Sequence, residues 1–254
     1  MLVAERYEKI VSLVNERGSI RVTELSELCQ VTEETIRRDL DRLERAGRLR
    51  RSHGGAISVK ETALHPEIPY AEREITNAEE KKRIALEAIK RISPKDRILL
   101  DASSTAWYMA ADVPDIDLTV LTNSIKVATE LSSKEKIQVI STGGILAQRS
   151  LSFVGPLAER SLDAYHVDKV FLSCKGVHLE RGISESNELQ ARIKERMIGI
   201  ADEVVLLADS SKFGVQAFTH VADLSEVDTI ITDRRMPRET IEQLEGRGIF
   251  VITV

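Results

Sequence analysis

The chain is poor in cysteine. Cys29 and Cys174 are the only two among 254 residues, which excludes a disulfide-stapled secreted scaffold and fits a reducing compartment. No apolar run approaches the roughly 18 residues that a membrane span requires, so no membrane partner is expected. The opening MLVAERYEKI meets an acid and a base too early for a signal peptide. There is no internal repeat and no low-complexity tract. His166, His178 and His220 make no metal-ligand spacing with Cys174, so no metal is expected. Gly143-Gly144 lacks the glycine spacing of a dinucleotide loop, and no cofactor is expected.

What is present is ordinary soluble composition, 42% apolar and 30% charged, in a length that suits a small domain plus a medium one. Charge is unevenly spread. The whole chain nets -5, yet residues 1–60 carry 12 bases against 10 acids, and Ile36 to Lys60 alone holds eight bases and three acids. A small basic segment beside a larger acidic body points to an anionic partner for the first part.

The first sixty residues read as three helices and a hairpin. Val3, Tyr7, Ile10 and Val14 recur at helical spacing up to Gly18. Thr23 is expected to cap a short second helix carrying Leu25 and Leu28, and Thr32 a third carrying Ile36, Leu40 and Leu43. Gln30-Val31 makes the tight turn between them. Leu49–Arg51 and Ala56–Val59 are strand candidates around Ser52-His53-Gly54-Gly55. A short helix, a tight turn and a second capped helix is the arrangement that seats a helix in a DNA major groove. Thr35, Arg38 and Arg42 share the outward face of the third helix, with Arg37 at its edge and Thr32 near its N-terminus. Arginine can bond guanine bidentately, and a threonine methyl packs on thymine. Arg50, Arg51 and His53 on the hairpin suit the backbone or the minor groove.

Residues 60–78, interrupted by Pro66 and Pro69, read as a linker between a DNA-binding domain (1–59) and a larger domain (79–254). In the larger domain, apolar runs at 98–100, 118–121, 137–140, 170–172, 204–207, 229–231 and 249–252 alternate with helical stretches near 79–91, 104–111, 124–132, 187–201 and 237–245. That alternation predicts an α/β fold with a mostly parallel sheet. Polar segments follow several of the runs: Asp101–Thr105, Thr122–Ser124, Ser141–Gly144 and Asp209–Gly214. Loops at the carboxyl ends of parallel strands are the usual ligand site of such a sheet. Hydroxyls, glycine amides and Lys212 suit a phosphate, and Asp101 and Glu188 suit the hydroxyls of its carrier.

The run VTEETIRRDLDRLERAGRLRRSHGGA, Val31 to Ala56, resembles the signature of the DeoR family of bacterial sugar-metabolism repressors. The resemblance continues through nearly the whole chain. It implies a winged helix-turn-helix that binds operator DNA, with Thr32, Thr35, Arg37, Arg38 and Arg42 in the recognition helix and Arg50, Arg51 and His53 in the wing. It implies a C-terminal α/β sensor domain similar to ribose-phosphate isomerase, with a phosphorylated sugar as effector. The expected ligand residues are Asp101, Ser103, Ser104, Thr105, Asn123, Gly143, Gly144, Lys175, Glu188 and Lys212. A cytoplasmic homodimer or homotetramer is implied as well.

Two positions depart from the family pattern. Ser103 stands where a glycine is usual, and Lys175 where many relatives carry an acid or amide. Lys175 is therefore expected to salt-bridge to Asp101 or Glu188, or to meet the ligand. Two alternatives stay open: an isomerase-like enzyme using Asp101 or Glu188 as base, and an activator with the same ligand site.

Overall fold

The computed structural model describes residues 3–17, 19–45, 48–52, 54–58 and 67–254. His53 lies outside them, as do the side chains of Arg50 and Arg51. The chain divides into two units, Met1–Pro66 and Glu67–Val254.

In the first unit the helical spacing becomes α1 (Val3–Arg17), α2 (Val22–Cys29) and α3 (Glu33–Arg45). Ile10, Val14, Leu25, Ile36, Leu40, Leu43 and Leu49 close on one another as a single core. Gln30 adopts the left-handed conformation at φ 55° and turns the chain from α2 to α3. The expected hairpin is β2 (Leu49–Ser52) and β3 (Gly55–Ser58), but it has a third member. Strand β1 (Ser19–Arg21) pairs antiparallel with β3, giving the order β1-β3-β2. Gly55 permits this: a Cβ there would lie 2.2 Å from the carbonyl oxygen of Ile20. Thr23 does not cap α2. The strand β1 runs straight into the helix, Arg21 holds the cap position without a side-chain bond, and the Val22 amide donates to the Gly54 carbonyl at 2.9 Å.

In the second unit the seven predicted apolar runs are the seven strands of one parallel sheet. They are β4 (Arg97–Leu100), β5 (Leu118–Thr122), β6 (Ile137–Ser141), β9 (Val167–Leu172), β12 (Ala201–Leu207), β14 (Thr229–Thr232) and β15 (Phe250–Thr253). Their order is β15-β14-β12-β9-β4-β5-β6. The five inner strands are buried on both faces along most of their length, which explains their runs without polar alternation, while the edge strands β6 and β15 are partly exposed. Ile98 and Leu100 face a core with α5 (Ala78–Ile89), α6 (Ser104–Asp112) and α7 (Ile125–Leu131). Leu99 faces another with α8 (Pro156–Leu162), α9 (Glu188–Gly199) and α10 (Arg238–Glu245).

Strands β4, β5 and β6 step outward in one direction; β9, β12, β14 and β15 then step outward in the other. The order reverses between β4 and β9, and a crevice opens at the carboxyl ends of strands at such a point.

Three features were not predicted. A hairpin joins β7 (Ile145–Ala147) to β8 (Ser152–Val154), and a small antiparallel sheet joins β10 (Gly176–His178), β11 (Gly182–Glu185) and β13 (Thr219–Ala222). Helix α4 (Tyr70–Ile75) occupies the stretch expected to be linker. Residues 67–78 belong to the second unit, with Tyr70 buried at 3% exposure. Pro69 does not interrupt that helix; it precedes it, where a missing N–H costs nothing.

Candidate functional site

In the first unit, α3 has the two faces that its sequence predicts. Ile36, Leu40 and Leu43 are buried, and Arg37, Arg38 and Arg42 are exposed. Thr32 is the cap: its Oγ1 accepts from the Thr35 amide at 3.3 Å and lies 2.9 Å from the Thr35 hydroxyl. Arg37 pairs with Glu33 at 2.7 Å and Arg38 with Glu34 at 3.3 Å, each one turn back along the helix. Arg42 donates to the hydroxyl of Tyr7 on α1 at 3.2 Å, so Tyr7 aims an arginine that the helix alone would leave loose. The described parts thus hold five of the eight expected DNA-contact side chains on one helix.

In the second unit, a cleft of about 700 Å³, counted to its open mouth, lies over the ends of β4, β9 and β12. Three loops build it. Ser103, Ser104 and Thr105 follow β4; Ser173, Cys174 and Lys175 follow β9; Asp209, Ser211 and Lys212 follow β12. Of the ten expected ligand residues, Ser103, Ser104, Thr105, Lys175 and Lys212 line this cleft.

The other five lie elsewhere. The Asp101 carboxylate is 1% exposed and accepts from the Ser103 amide at 3.1 Å and the Ser173 amide at 3.0 Å, which fastens the end of β4 to that of β9. Its ion-pair partner is Lys194 at 3.1 Å, in place of the expected Lys175. Glu188 is exposed at the start of α9 and pairs with Arg192 at 2.6 Å. Asn123 is buried and donates to the Phe153 carbonyl at 2.9 Å. Gly144, at φ 118°, lets the chain pass Ala158 and the Val154 carbonyl, each 2.9 Å from where its Cβ would stand. Gly143 beside it shares that turn and does not line the cleft.

Ser103 explains itself. It sits at φ -85°, where a side chain costs nothing, and its Oγ accepts from the Ala106 amide at 3.0 Å as the cap of α6.

Arg73, Asn77, Lys81, Glu185 and Lys194 also line the cleft without having been predicted, as do Glu67, Ile68, Thr76 and Ser186. Lys194, on α9, is 8% exposed and bridges Glu185 at 2.6 Å, Asp101 and the Ser173 carbonyl. Burial opposes its charge, but the two carboxylates outweigh it and hold the ammonium above its ordinary range. Lys81 is different. Burial first, then Lys212, push it down to about 8; Asp209 opposes this and Arg73 adds to it. Lys175 is likewise lowered by burial and then by Lys212. Among the described residues, Arg73, Lys81, Lys175 and Lys212 have no carboxylate within ion-pair distance. Asp209 is engaged by Asn77 at 3.1 Å and by the Ser211 amide at 3.1 Å. Cations held close with their own carboxylates spent elsewhere form a site for an anion.

A signal for Lys81 was present but ambiguous. It is an inward position of a predicted helix, beside Ile84 and Ala88, filled by a lysine.

The model of the DeoR-like helix-turn-helix domain matches residues 6–62, and that of the DeoR C terminal sensor domain matches residues 76–234. An uncharacterized HTH-type transcriptional regulator, YulB of Bacillus subtilis (strain 168), is 58% identical over 254 residues, covering 100% of this chain and 98% of that protein. The L-fucose operon activator of Haemophilus influenzae is 39% identical, covering 97% of this chain and 98% of its own length. A putative aga operon transcriptional repressor of Escherichia coli O157:H7 is 35% identical, covering 99% and 94%.

Proposed function

From the premise that this chain belongs to the DeoR family of helix-turn-helix transcriptional regulators, we propose that it represses a carbohydrate-utilisation operon and leaves its operator when a phosphorylated sugar fills the cleft. The observation that carries the ligand is the set of four cations without an ion-pair partner among the described residues, Arg73, Lys81, Lys175 and Lys212, around one crevice at the reversal of strand order. A phosphate dianion relieves their mutual repulsion. Ser104 and Thr105 on one wall and Glu185 on another supply polar groups for a hydroxylated carrier. The operator is read by Thr32, Thr35, Arg37, Arg38 and Arg42, with Arg50, Arg51 and His53 on the wing. Pairing of two or four copies supplies palindromic half-sites and raises affinity through effective concentration. Operator DNA and sugar phosphates both place this work in the cytoplasm.

A ligand releases DNA only if it prefers the conformation that binds DNA poorly. Relatives include a named activator and a named repressor, so the sign of regulation is an outcome of the test. The isomerase alternative needs a free base. Asp101 is held by Lys194 and two amides and Glu188 lies outside the cleft, so the geometry favours the regulator.

The test is calorimetry of aldose and ketose phosphates against the same sugars without phosphate, followed by gel shift on the DNA upstream of its own gene. Phosphorylated compounds alone should bind, and one of them should lower operator affinity. Binding of the unphosphorylated sugars with equal affinity overturns the anion site. A ligand that strengthens DNA binding overturns release.

A further inference from the structure

Helix α4 lies at the point where the chain enters the second unit, and its backbone docks firmly. The Tyr70 amide donates to the Arg149 carbonyl at 2.7 Å. The Arg73 carbonyl accepts from the Ser104 hydroxyl at 3.2 Å and from Lys81, and the Glu74 carbonyl from the Tyr108 hydroxyl at 3.1 Å. The Tyr70 ring sits 5.4 Å from the ammonium of Lys126, which also lies 5.0 Å from the Trp107 ring.

The Arg73 side chain is not satisfied in the same way. Its guanidinium lies 5.5 Å from the centre of the Tyr70 ring, and its Nε and Nη2 are both buried without a hydrogen-bond acceptor among the described residues. Nε and Nη2 share one edge of the guanidinium plane. That edge presents two parallel N–H donors, the fork that matches two oxygens of one carboxylate or phosphate. Buried donors left unpaired are costly, and two on one edge are met most economically by a single two-oxygen anion. Arg73 also lines the cleft, and its charge is felt by both Lys81 and Lys175.

We infer that a small turn of the Arg73 side chain brings its buried Nε–Nη2 edge side-on to two oxygens of the ligand's phosphate and thereby pins residues 67–77 to the second unit as a strap. This rests on the reading of the cleft as a phosphate-ester site and adds to it a positioning element on the segment that leads toward the helix-turn-helix. Glu67, Thr76 and Asn77 line the cleft from the same segment, so an anion held by Arg73 braces the strap against all three loops. Occupancy then changes how tightly the chain is held just after residue 66, where the second unit begins. The lysines supply charge; Arg73 supplies the fixed two-donor geometry and the link to chain entry.

The test uses the full chain and inorganic phosphate as the probe, read by calorimetry and by hydrogen exchange of peptides covering 67–77. Phosphate should bind wild type and slow exchange across 67–77. Arg73→Lys keeps the charge and loses the fork; it should bind phosphate at least about tenfold more weakly and show no slowing at 67–77. Arg73→Gln should behave the same way. Lys212→Gln, which changes no residue of the strap, should also weaken phosphate, yet at saturation it should still slow exchange at 67–77. Phosphate affinity of Arg73→Lys within about twofold of wild type overturns the fork. Binding to wild type with unchanged exchange at 67–77 overturns the strap while leaving the cleft reading intact. No phosphate binding to wild type overturns the cleft reading itself.

Discussion

The two units use cations in opposite ways. On α3 of the first unit, Arg37 and Arg38 are exposed and each is already matched to a glutamate one turn away, Arg37 to Glu33 and Arg38 to Glu34. In the cleft of the second unit, Arg73, Lys81, Lys175 and Lys212 are drawn together with no carboxylate within ion-pair distance among the described residues, although Glu67, Glu185 and Asp209 line the same cleft. Exposed pairs are worth little and exchange readily for a phosphate on DNA. Clustered, desolvated cations are kept only where an anion is meant to join them. The first arrangement suits a long polyanion met at many points, and the second suits one small anion met at a single point.

Lys194 marks the limit of this contrast, because it lies in the cleft yet is fully paired. Removing it should have the largest effect on the molecule. Lys194→Ala leaves Asp101 and Glu185 buried without their cation, at a cost of about 3–5 kcal/mol. Urea unfolding of the second unit should register that loss. Lys81→Met is the opposite arm: it removes a charge that the fold resists and loses one hydrogen bond to the Arg73 carbonyl, so it should cost no more than about 1 kcal/mol without ligand. A Lys194→Ala protein as stable as wild type, or a Lys81→Met protein as damaged as Lys194→Ala, would erase the distinction between structural and ligand-seeking cations.

The same distinction explains what could be read in the sequence. The five inner strands of the parallel sheet were legible because a strand buried on both faces must be apolar throughout, and the edge strands β6 and β15 because their runs are also mostly apolar. The strands β1, β7, β8, β10, β11 and β13 were not. Each has three or four residues, too few for a period to show, and β1 and β13 also take their register from partners distant in the chain. Ser103, Ser104, Thr105, Lys175 and Lys212 could be placed in the cleft because each stands in a loop just past a strand. By that rule Asp101 looked the same, and only Lys194, far away in sequence, decides that its carboxylate holds strand ends together. Arg73 was hidden by two prolines that read as linker. Lys81 was hidden because a lysine in an amphipathic helix normally faces water.

A smaller effect follows from Lys81 by way of pH. Its folded pKa lies below the ordinary lysine value, near 8. An anion in the cleft favours the charged form and raises that pKa, so binding takes up a proton wherever free Lys81 has begun to lose one. Affinity is therefore full below the free pKa and falls as pH rises through it. From about pH 7 to about pH 9 the phosphate dianion should bind roughly tenfold more weakly, once the rise in its own fraction over that range is divided out. Calorimetry in two buffers of different ionisation enthalpy should show proton uptake near the upper end. In Lys81→Met the decline should shrink to what Lys175 contributes, since its pKa is lowered as well. Equal affinity at both pH values would mean that Lys81 does not meet the anion.

The smallest effect expected is on the DNA side, and it tests whether the paired arginines are truly interchangeable with DNA contacts. Arg38 must give up Glu34, at 3.3 Å, before its guanidinium is fully free for a phosphate or a base edge. Exposed pairs of this spacing are worth about 0.3–0.5 kcal/mol, so Glu34→Gln should tighten binding to a mixed-sequence duplex by roughly twofold. Part of any gain comes simply from removing a carboxylate near the polyanion. Arg38→Ala separates the two contributions: in that background Glu34→Gln retains the general gain and loses the share that belonged to the pair. Arg38→Ala alone should weaken binding and lower the salt slope by about one phosphate contact. Fluorescence anisotropy of the four proteins across a salt series measures all three quantities. If Glu34→Gln gives the same gain with and without Arg38, the intrahelical pair does not compete with DNA. The first unit's arginines would then be committed to their glutamates, and the contrast with the open cations of the cleft would be one of strength, not of kind.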